Sequence, residues 1–267
     1  MADDLLQHVL LGLQSVAGLA PSEVLRRRLL RATALLTPLA GRPANIDDPD
    51  WAALIDAVTV QETRLFRHAV VFEVLETEVM PTLHRDAGAA ARPLRILSAG
   101  CATGEEAYSL AVVALGQAQP LNAQKVEVIG LDLSRPAIAA ARNGVYRAGP
   151  PDAMREVPAH YRTRFEPCEP QSVRAVEPVR AVTRFRRANL LQLPELFTGT
   201  ADLVVCRHVL MYFSLAARAE AFAGLTRLLR PGGALLLGAT DAPPAGLPLE
   251  PWSSGTSALW RRKHGAL

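Results

Sequence analysis

The feature that most constrains the fold is an alternation of short apolar segments and helical segments that begins at residue 94. Apolar, β-rich segments cover residues 94–99, 126–132, 202–206 and 234–238. Between them, apolar residues recur at helical spacing over residues 105–115, 136–143 and 215–229. Strands that alternate with helices predict βαβ units and a mostly parallel sheet. We therefore expect an α/β domain here, with a last strand at residues 256–261.

Two regions of the chain do not follow this alternation. Apolar residues at helical spacing over residues 5–13, 21–36 and 51–58, and again after Thr63, predict an all-α N-terminal domain. We place it at residues 1–75, with the α/β domain at residues 76–267. Between about residues 159 and 187, valines are interleaved with arginine, glutamate and proline. This pattern predicts a small β-rich insertion at the edge of the sheet.

The cysteines and the N-terminus bear on the cellular compartment. The chain has 3 cysteines, which lie far apart and show neither a CxxC pair nor a histidine at ligand spacing. This usage favours a reducing compartment and no structural metal. The N-terminus is acidic where a secretory signal would be basic, and no apolar run approaches the ~20 residues of a membrane span. We expect a cytoplasmic protein without direct membrane insertion.

The net charge of +3 and the pI near 9.0 describe a mildly basic chain whose cations are almost all arginine. A surface of this kind suits an acidic partner and gives little support to nucleic acid as a ligand. Arg26, Arg27 and Arg28 fall within the helical segment at residues 21–36. They form either a solvated charged face or a surface that meets an acidic partner.

A glycine-containing turn follows the first predicted strand. Residues 98–106 read SAGCATGEE, so that glycines at positions 100 and 104 lie between a strand and a helix, where backbone can approach a ligand closely. The spacing is GxxxG and no phosphate-binding lysine follows, which disfavours dinucleotides and nucleoside triphosphates. Alone, the turn could simply connect a strand to a helix. Together with Asp132, at the end of the second strand where such folds bind ribose hydroxyls, it indicates a nucleoside site.

The chain resembles known methyltransferases at two levels. The turn, Asp132 and a helix that ends at proline and glycine before an apolar strand (residues 228–235) resemble the S-adenosylmethionine-binding Rossmann-like fold of class I methyltransferases. Five segments, in order and spacing, resemble the CheR family of chemoreceptor glutamate methyltransferases: residues 58–67 (VTVQETRLFR), 98–109 (SAGCATGEEAYS), 143–146 (NGVY), 189–191 (NLL) and 206–213 (CRHVLMYF). This resemblance covers most of the chain. It implies a Rossmann-like sheet with an N-terminal all-α domain and a small inserted β-subdomain.

The resemblance also implies a site, with S-adenosylmethionine as cofactor and S-adenosylhomocysteine as product. Arg67 and Tyr212 would be catalytic, with Tyr212 near the departing methyl group, and Thr63 and Arg67 would cap the site. The implied cofactor-binding residues are Gln61, Thr63, Arg67, Ala99, Arg207 and His208, with Gly100 and Glu105 at the methionine end, Asp132 at the ribose, and Asn189 and Leu190 at the adenine.

Four positions depart from the family's usual residues. Gln61 and His208 stand where asparagine is usual, Leu65 where an aromatic residue is common, and Ala107 where proline is usual. Gln61 keeps the amide but is one methylene longer, and His208 can still donate or accept a hydrogen bond. The expected fold is unaffected, and the changes bear on cofactor affinity and activity.

The implied chemistry asks little of the protein. A glutamate carboxylate has a pKa near ~4.3, so at neutral pH it is already a nucleophile and needs no general base. The enzyme must align it with the methyl carbon, which is a problem of positioning. Arginine suits this task because its planar fork binds a carboxylate at two points, and we expect Arg67 to position the acceptor with Tyr212 as a second contact. No metal is required.

The expected partner is the cytoplasmic domain of a chemoreceptor, through its acidic methylation helices. A response regulator or another chemotaxis protein is a further candidate partner. Two alternatives stay open: a methyltransferase that acts on another acceptor, such as a small molecule or nucleic acid, and a catalytically weak scaffold that binds the cofactor.

Overall fold

A computed structural model describes residues 2–117, 126–150, 152–193, 201–252 and 257–265. The strands are β1 Leu94–Ala99, β2 Val126–Asp132, β3 Val145–Arg147, β4 Phe165–Glu169, β5 Ser172–Ala175, β6 Thr183–Arg187, β7 Ala201–Cys206, β8 Leu229–Leu237, β9 Leu249–Pro251 and β10 Leu259–Arg262. The α-helices are α1 Ala2–Ala17, α2 Glu23–Arg31, α3 Pro49–Val58, α4 Ala69–Val74, α5 Met80–Ala89, α6 Glu105–Gln117, α7 Arg135–Asn143, α8 Glu177–Ala181 and α9 Leu215–Leu228.

The large sheet has the strand order β6-β2-β1-β7-β8-β10-β9. Strands β6 to β8 in this order are parallel, whereas β10 is antiparallel to both β8 and β9. The central parallel strands β1, β2 and β7 are almost entirely buried, as strands covered by helices on both faces require. The predicted α/β sheet is therefore confirmed. Because β2, β1 and β7 are parallel neighbours, their carboxyl ends meet at one edge of the sheet, where ligands of such sheets bind.

The N-terminal helices form a lobe with its own apolar core. Helix α2 begins at Ser22, whose hydroxyl accepts a hydrogen bond from the Leu25 amide at 3.2 Å. Helix α3 begins at Asp48, which caps the amides of residues 50 and 51. Such caps satisfy amides that have no partner within the helix. Residues of α1 to α3, with Trp51 fully buried, pack together in this helical lobe.

The predicted helix after Thr63 is wrong for residues 64–68, which form an irregular loop. Phe66 and His68 have φ angles of 53° and 63°, so the chain cannot be helical there. Helix α4 begins only at Ala69 and continues through a π-helical turn into α5. The lobe core ends at Val58, whereas Leu65 and the side chains of α4 pack in the core of the sheet. A domain boundary at residue 75 stays a prediction.

The expected inserted β-subdomain is present with different limits. Strands β3, β5 and β4 form a separate antiparallel sheet in that order. Residues 183–187, which we assigned to the insertion, instead form β6 at the edge of the large sheet. The reason is that the side chains of Thr183 and Phe185 are buried, whereas the arginine side chains that alternate with them are exposed.

The C-terminal strands differ in detail from the prediction. Strand β8 starts at Leu229 and includes the Pro231-Gly232-Gly233 segment, because its pairing with β7 shifts register there. The last strand is β10, and Thr256, where we expected it to begin, lies outside the described residues. Strand β9, three residues long, was not predicted. None of the described helices has the length and apolarity needed to cross a membrane.

A short antiparallel bridge joins the helical lobe to the carboxyl edge of the sheet. Leu19 pairs with Phe213, the Ala20 amide donates to the Tyr212 carbonyl at 2.8 Å, and the Ser214 amide donates to the Gly18 carbonyl at 2.8 Å. The lobe therefore lies over the end of β7.

Candidate functional site

A cleft open to solvent lies between the helical lobe and the carboxyl edge of the sheet, and residues of both line it. Nine of the predicted site residues line it: Thr63, Arg67, Gly100, Asp132, Asn189, Leu190, Arg207, His208 and Tyr212. Three do not: Gln61, Ala99 and Glu105. The structure therefore brings together most of the residues that the sequence singled out, from both parts of the chain.

The turn after β1 forms one wall of the cleft. The amides of Gly100 and Cys101 both donate to the Leu131 carbonyl, at 2.7 and 2.9 Å, which ties the turn to β2. Gly100 has a φ of 82°, and a Cβ atom there would lie 2.2 Å from Cγ2 of Val209. Glycine is required on both counts. Ala99 lies beneath this turn and is fully buried.

Asp132 ends β2 and lines the cleft beside this turn. Its two carboxylate oxygens accept hydrogen bonds from the amides of Ala102 and Ser134, at 2.8 and 2.9 Å. Burial raises the pKa of Asp132, although these hydrogen bonds oppose the rise. A carboxylate has about four lone-pair sites, so Asp132 retains capacity to accept hydrogen bonds from ribose hydroxyls.

The two adjacent glutamates at the start of α6 point in different directions. Glu105 accepts a hydrogen bond from the Thr103 hydroxyl at 2.7 Å and does not line the cleft. Glu106 lines it, and accepts from the Ser98 hydroxyl at 2.8 Å and from Arg207 at 3.4 Å. Sequence reasoning selected Glu105, whereas the structure places Glu106 on the cleft. The sequence shows that two acidic residues are adjacent, but it does not show which of them faces the cleft.

Arg207 is the most buried charged side chain of the site, with 3% of its surface exposed. Besides Glu106, it donates to the Arg67 carbonyl at 2.9 Å and contacts Nδ1 of His68 at 2.9 Å. Burial raises the pKa of Glu106 and lowers that of Arg207, while their mutual attraction opposes both shifts. This pair fixes the end of β7 against the loop at residues 61–68.

That loop brings Arg67 into the cleft. Arg67 donates to the Glu62 carbonyl at 2.8 Å and its guanidinium lies 3.6 Å from the Glu62 carboxylate. Its Nε is buried and has no partner in the part of the chain that the structure describes. The left-handed residues on either side of Arg67, at positions 66 and 68, each store on the order of 1–3 kcal/mol of backbone strain. The side-chain amide of Gln61 donates to the Thr59 hydroxyl at 3.0 Å, and Gln61 does not line the cleft.

His208 lies opposite this loop with a φ of 60°, and its ring is 5.3 Å from that of His68. Its Nε2 is buried without a hydrogen-bond partner among the described residues. Burial, followed by the positive charges of Arg67 and Arg207, lowers the pKa of His208 to about 4. The ring is therefore neutral at pH 7 and has a nitrogen available for a ligand.

The adenine-side residues and Tyr212 complete the predicted set. Asn189 donates to the Val16 carbonyl at 2.7 Å and caps the Leu191 amide at 3.2 Å, so its side chain holds the lobe and the local turn. Leu190 presents an apolar side chain to the cleft, and Tyr212 ends a single 3₁₀ turn at its rim.

The lobe supplies most of the lining that sequence reasoning missed. These residues are Ala17, Leu19, Ala20, Ser22, Val24, Leu25, Arg28, Val58, Thr59 and Val60. Val58, Thr59 and Val60 lie in the quoted segment 58–67 and Arg28 in the arginine run, but none of them was assigned to the site. The other six carry no motif and face the cleft only because the lobe lies over the sheet. Arg28, from the arginine run on α2, donates to the Thr59 carbonyl at 2.8 Å.

The described residues include no cluster of metal ligands, and two of the three cysteines are buried. No group of three or more His, Cys, Asp or Glu side chains there could hold a metal ion. Cys101 and Cys206 are buried, and burial raises the pKa of both thiols.

Comparison with known proteins agrees with this geometry. Residues 61–247 match the family described as CheR methyltransferase, SAM binding domain, where SAM is S-adenosylmethionine. A probable biofilm formation methyltransferase WspC from Pseudomonas aeruginosa is 37% identical over 206 residues, which are 76% of this chain and 46% of that protein. Its Pseudomonas putida counterpart is 33% identical over 88% of this chain and 54% of that protein, so the chain spans about half the length of these relatives.

Shorter relatives match over more of their length. Chemotaxis protein methyltransferase 1 of P. aeruginosa is 34% identical over 197 residues, which are 71% of this chain and 69% of that protein. The match to the family extends over more than half of the chain and includes the glycine turn, Asp132 and the end of β7. The chain therefore belongs to the CheR family of S-adenosylmethionine-dependent methyltransferases.

Proposed function

We propose that the protein is a protein-glutamate O-methyltransferase that modifies the cytoplasmic domain of a chemoreceptor. The products are a γ-glutamyl methyl ester and S-adenosylhomocysteine. The observation that carries the proposal is that Arg67, a carboxylate-binding side chain, lines the same cleft as the glycine turn and Asp132. The names of relatives, such as chemotaxis protein methyltransferase in P. aeruginosa and Vibrio parahaemolyticus, support a chemoreceptor as the acceptor.

The residues of the cleft fit S-adenosylmethionine. Gly100 lines the cleft and carries no side chain, so a ligand can approach its backbone. Two residues of the implied cofactor set that line the cleft, Arg67 and His208, each have a buried polar atom without a partner among the described residues. Buried polar groups are ordinarily hydrogen-bonded, so these atoms indicate a polar ligand. Asp132 would bind the ribose, Glu106 the ammonium group at the methionine end, and Leu190 the adenine.

When bound, the cofactor supplies a methyl group on a sulfonium, which is already a good leaving group. The acceptor carboxylate is ionised at neutral pH and needs no base from the protein. The cations that line the cleft, Arg64 and Arg67, attract it, and the lobe contributes an apolar lining. The contribution of the protein is therefore alignment of the carboxylate with the methyl carbon.

Arg67 has the properties that this alignment requires. Its guanidinium is only 19% exposed, yet its contacts are with Glu62 of its own loop, which an acceptor carboxylate can replace. A planar guanidinium binds a carboxylate at two points and so fixes its direction as well as its distance. Tyr212, which lines the same cleft, is the second contact that we assign to the acceptor.

The test uses S-adenosyl-[methyl-³H]methionine and cytoplasmic fragments of chemoreceptors. We expect base-labile label on the receptor, and calorimetry should show micromolar binding of S-adenosylhomocysteine. The Arg67→Ala variant should fold and lose at least about 100-fold in turnover, the size expected when a reacting group is misaligned. Arg95→Ala is the matched control, because Arg95 pairs with Glu127 at the far end of the sheet, at 2.6 Å.

Each contrary outcome points to a different reading. Label on RNA or on a small molecule, with none on receptor fragments, would assign another acceptor. Absence of both label and S-adenosylhomocysteine binding would indicate the scaffold. Equal turnover of Arg67→Ala and Arg95→Ala would remove Arg67 from the role assigned to it.

A further inference from the structure

The loop that carries Arg67 has a backbone conformation that its residues do not favour in the absence of tertiary contacts. Phe66 and His68, the neighbours of Arg67 on both sides, are left-handed although neither is glycine. Such conformations persist only where surrounding contacts hold them. The contacts of these two residues therefore determine whether Arg67 stays in the cleft.

Phe66 is held by packing. Its side chain is fully buried, and its amide donates to the Ser109 hydroxyl on α6 at 2.9 Å. Its ring stacks on Tyr161, with centroids 5.5 Å apart, and lies 4.9 Å from the ring of Phe72. Tyr161 belongs to the 3₁₀ helix Ala159–Arg164, which lies between β3 and β4 of the inserted subdomain.

The His68 amide is held by one carboxylate, while Arg207 contacts Nδ1 of its ring and the neighbouring Arg67 carbonyl. Oε2 of Glu156 accepts the His68 amide at 2.6 Å, and Oε1 of Glu156 accepts Nε of Arg64. Glu156 also lies in the segment between β3 and β4, 88 residues from His68 in sequence. One side chain of the insertion thus bonds the loop on both sides of Arg67.

The electrostatics agree with a carboxylate committed to these bonds. Burial would raise the pKa of Glu156, but the hydrogen bonds from Arg64 and from the His68 amide outweigh it, and the pKa is lowered. The ionised form is therefore the one that holds the loop at neutral pH. Its side chain is 24% exposed and that of Arg64 22%, so the pair is partly shielded from solvent and salt.

We infer that Glu156 is a positioning residue for methyl transfer: it fixes the Arg64–His68 segment and thereby holds Arg67 in the cleft. The inference rests on the proposed function for the role of Arg67. Glu156 does not itself line the cleft, so it acts through the loop. The inserted subdomain therefore holds the Arg64–His68 segment in place through Glu156.

The experiment compares Glu156→Ala and Glu156→Gln with the wild-type chain. The alanine variant removes both bonds, whereas glutamine keeps an acceptor for the His68 amide and loses the charge opposite Arg64. Glu166→Ala is the matched control, because Glu166 pairs with Arg174 at 3.0 Å within the same inserted sheet and does not touch the loop. Two measurements are made: kcat and KM for methylation of receptor fragments, and the rate of tryptic cleavage after Arg64 and Arg67, followed by mass spectrometry.

Glu156→Ala should lower kcat about tenfold with a smaller change in KM for S-adenosylmethionine, because hydrogen bonds to a charged group are lost and the competent loop is less populated. Tryptic cleavage after Arg64 and Arg67 should be faster by about the same factor. Glu156→Gln should lie between the wild type and Glu156→Ala in both measurements. Glu166→Ala should match the wild type in both.

The proteolysis separates this inference from the proposed function. If no receptor fragment is methylated by the wild type, faster cleavage of Glu156→Ala still supports the role of Glu156 in holding the loop. Unchanged cleavage in both Glu156 variants, or turnover of both within twofold of the control, would overturn the inference. Should Glu156→Ala fail to fold, the glutamine variant decides by the same criteria.

Discussion

Replacement of Gly100 by alanine tests the geometry of the cofactor turn. Two penalties follow from the structure. The φ of 82° places an L-residue in left-handed backbone, at about 1–2 kcal/mol. The new Cβ would also lie 2.2 Å from Cγ2 of Val209, and such overpacking costs about 1–3 kcal/mol. Gly100→Ala should therefore lower the free energy of unfolding by about 2–5 kcal/mol.

The two penalties can be separated in a Val209→Ala background. There the clashing methyl groups are absent, and Gly100→Ala should cost only the backbone part, about 1–2 kcal/mol. Urea unfolding of the four proteins measures both values, and calorimetry with S-adenosylhomocysteine should show weaker binding by Gly100→Ala. An equal cost in both backgrounds would refute the contact with Val209. A cost below about 0.5 kcal/mol in either would refute the left-handed turn.

Two further predictions concern the buried polar groups of the site. Glu106→Gln and Arg207→Gln should each lower the free energy of unfolding by about 3–5 kcal/mol, because each leaves a buried charge without its partner. The double variant should cost at least about 1 kcal/mol less than the sum, and additive values from urea unfolding would contradict the pairing. His208 has a pKa of about 4 in the folded protein and 6.5 as a free group. As the pH falls from 6.5 to 4, the unfolded chain therefore binds a proton at His208 before the folded chain does, and the free energy of unfolding decreases. In His208→Asn, thermal unfolding should show a loss of stability over this pH range that is smaller by on the order of 1 kcal/mol, because solvent screening reduces the effect of the full pKa shift. A pH profile identical to that of the wild type would show that the ring is not buried.

The sheet was predictable because its strands are nearly continuous apolar runs. Strands β1, β2 and β7 begin and end within one residue of the predicted limits. Helices cover both faces of these strands, so most positions are apolar and the strands stand out in the sequence as nearly continuous apolar segments. Asp132 and Gly100 followed from the same prediction, because their place at strand ends fixes their place in the cleft. The family resemblance added Arg67 and Tyr212, which no periodicity indicates.

The parts that could not be predicted depend on contacts distant in sequence. Apolar residues after Thr63 have helical spacing, yet contacts with Ser109 and Glu156 hold Phe66 and His68 in left-handed backbone. Tertiary contacts have overridden local preference there. Likewise, the direction of two successive carboxylates at the start of α6 depends on the position of Arg207, about 100 residues away.

The bridge between residues 18–20 and residues 212–214 affects where a functional unit of this chain can be cut. A truncated chain that began at residue 61, where the family match begins, would retain every strand of the large sheet. It would, however, remove the partners of the Tyr212 carbonyl and the Ser214 amide, and with them one wall of the cleft. The smallest piece able to enclose a ligand in this cleft is therefore larger than the Rossmann-like sheet and its helices, because it includes the first helices of the chain.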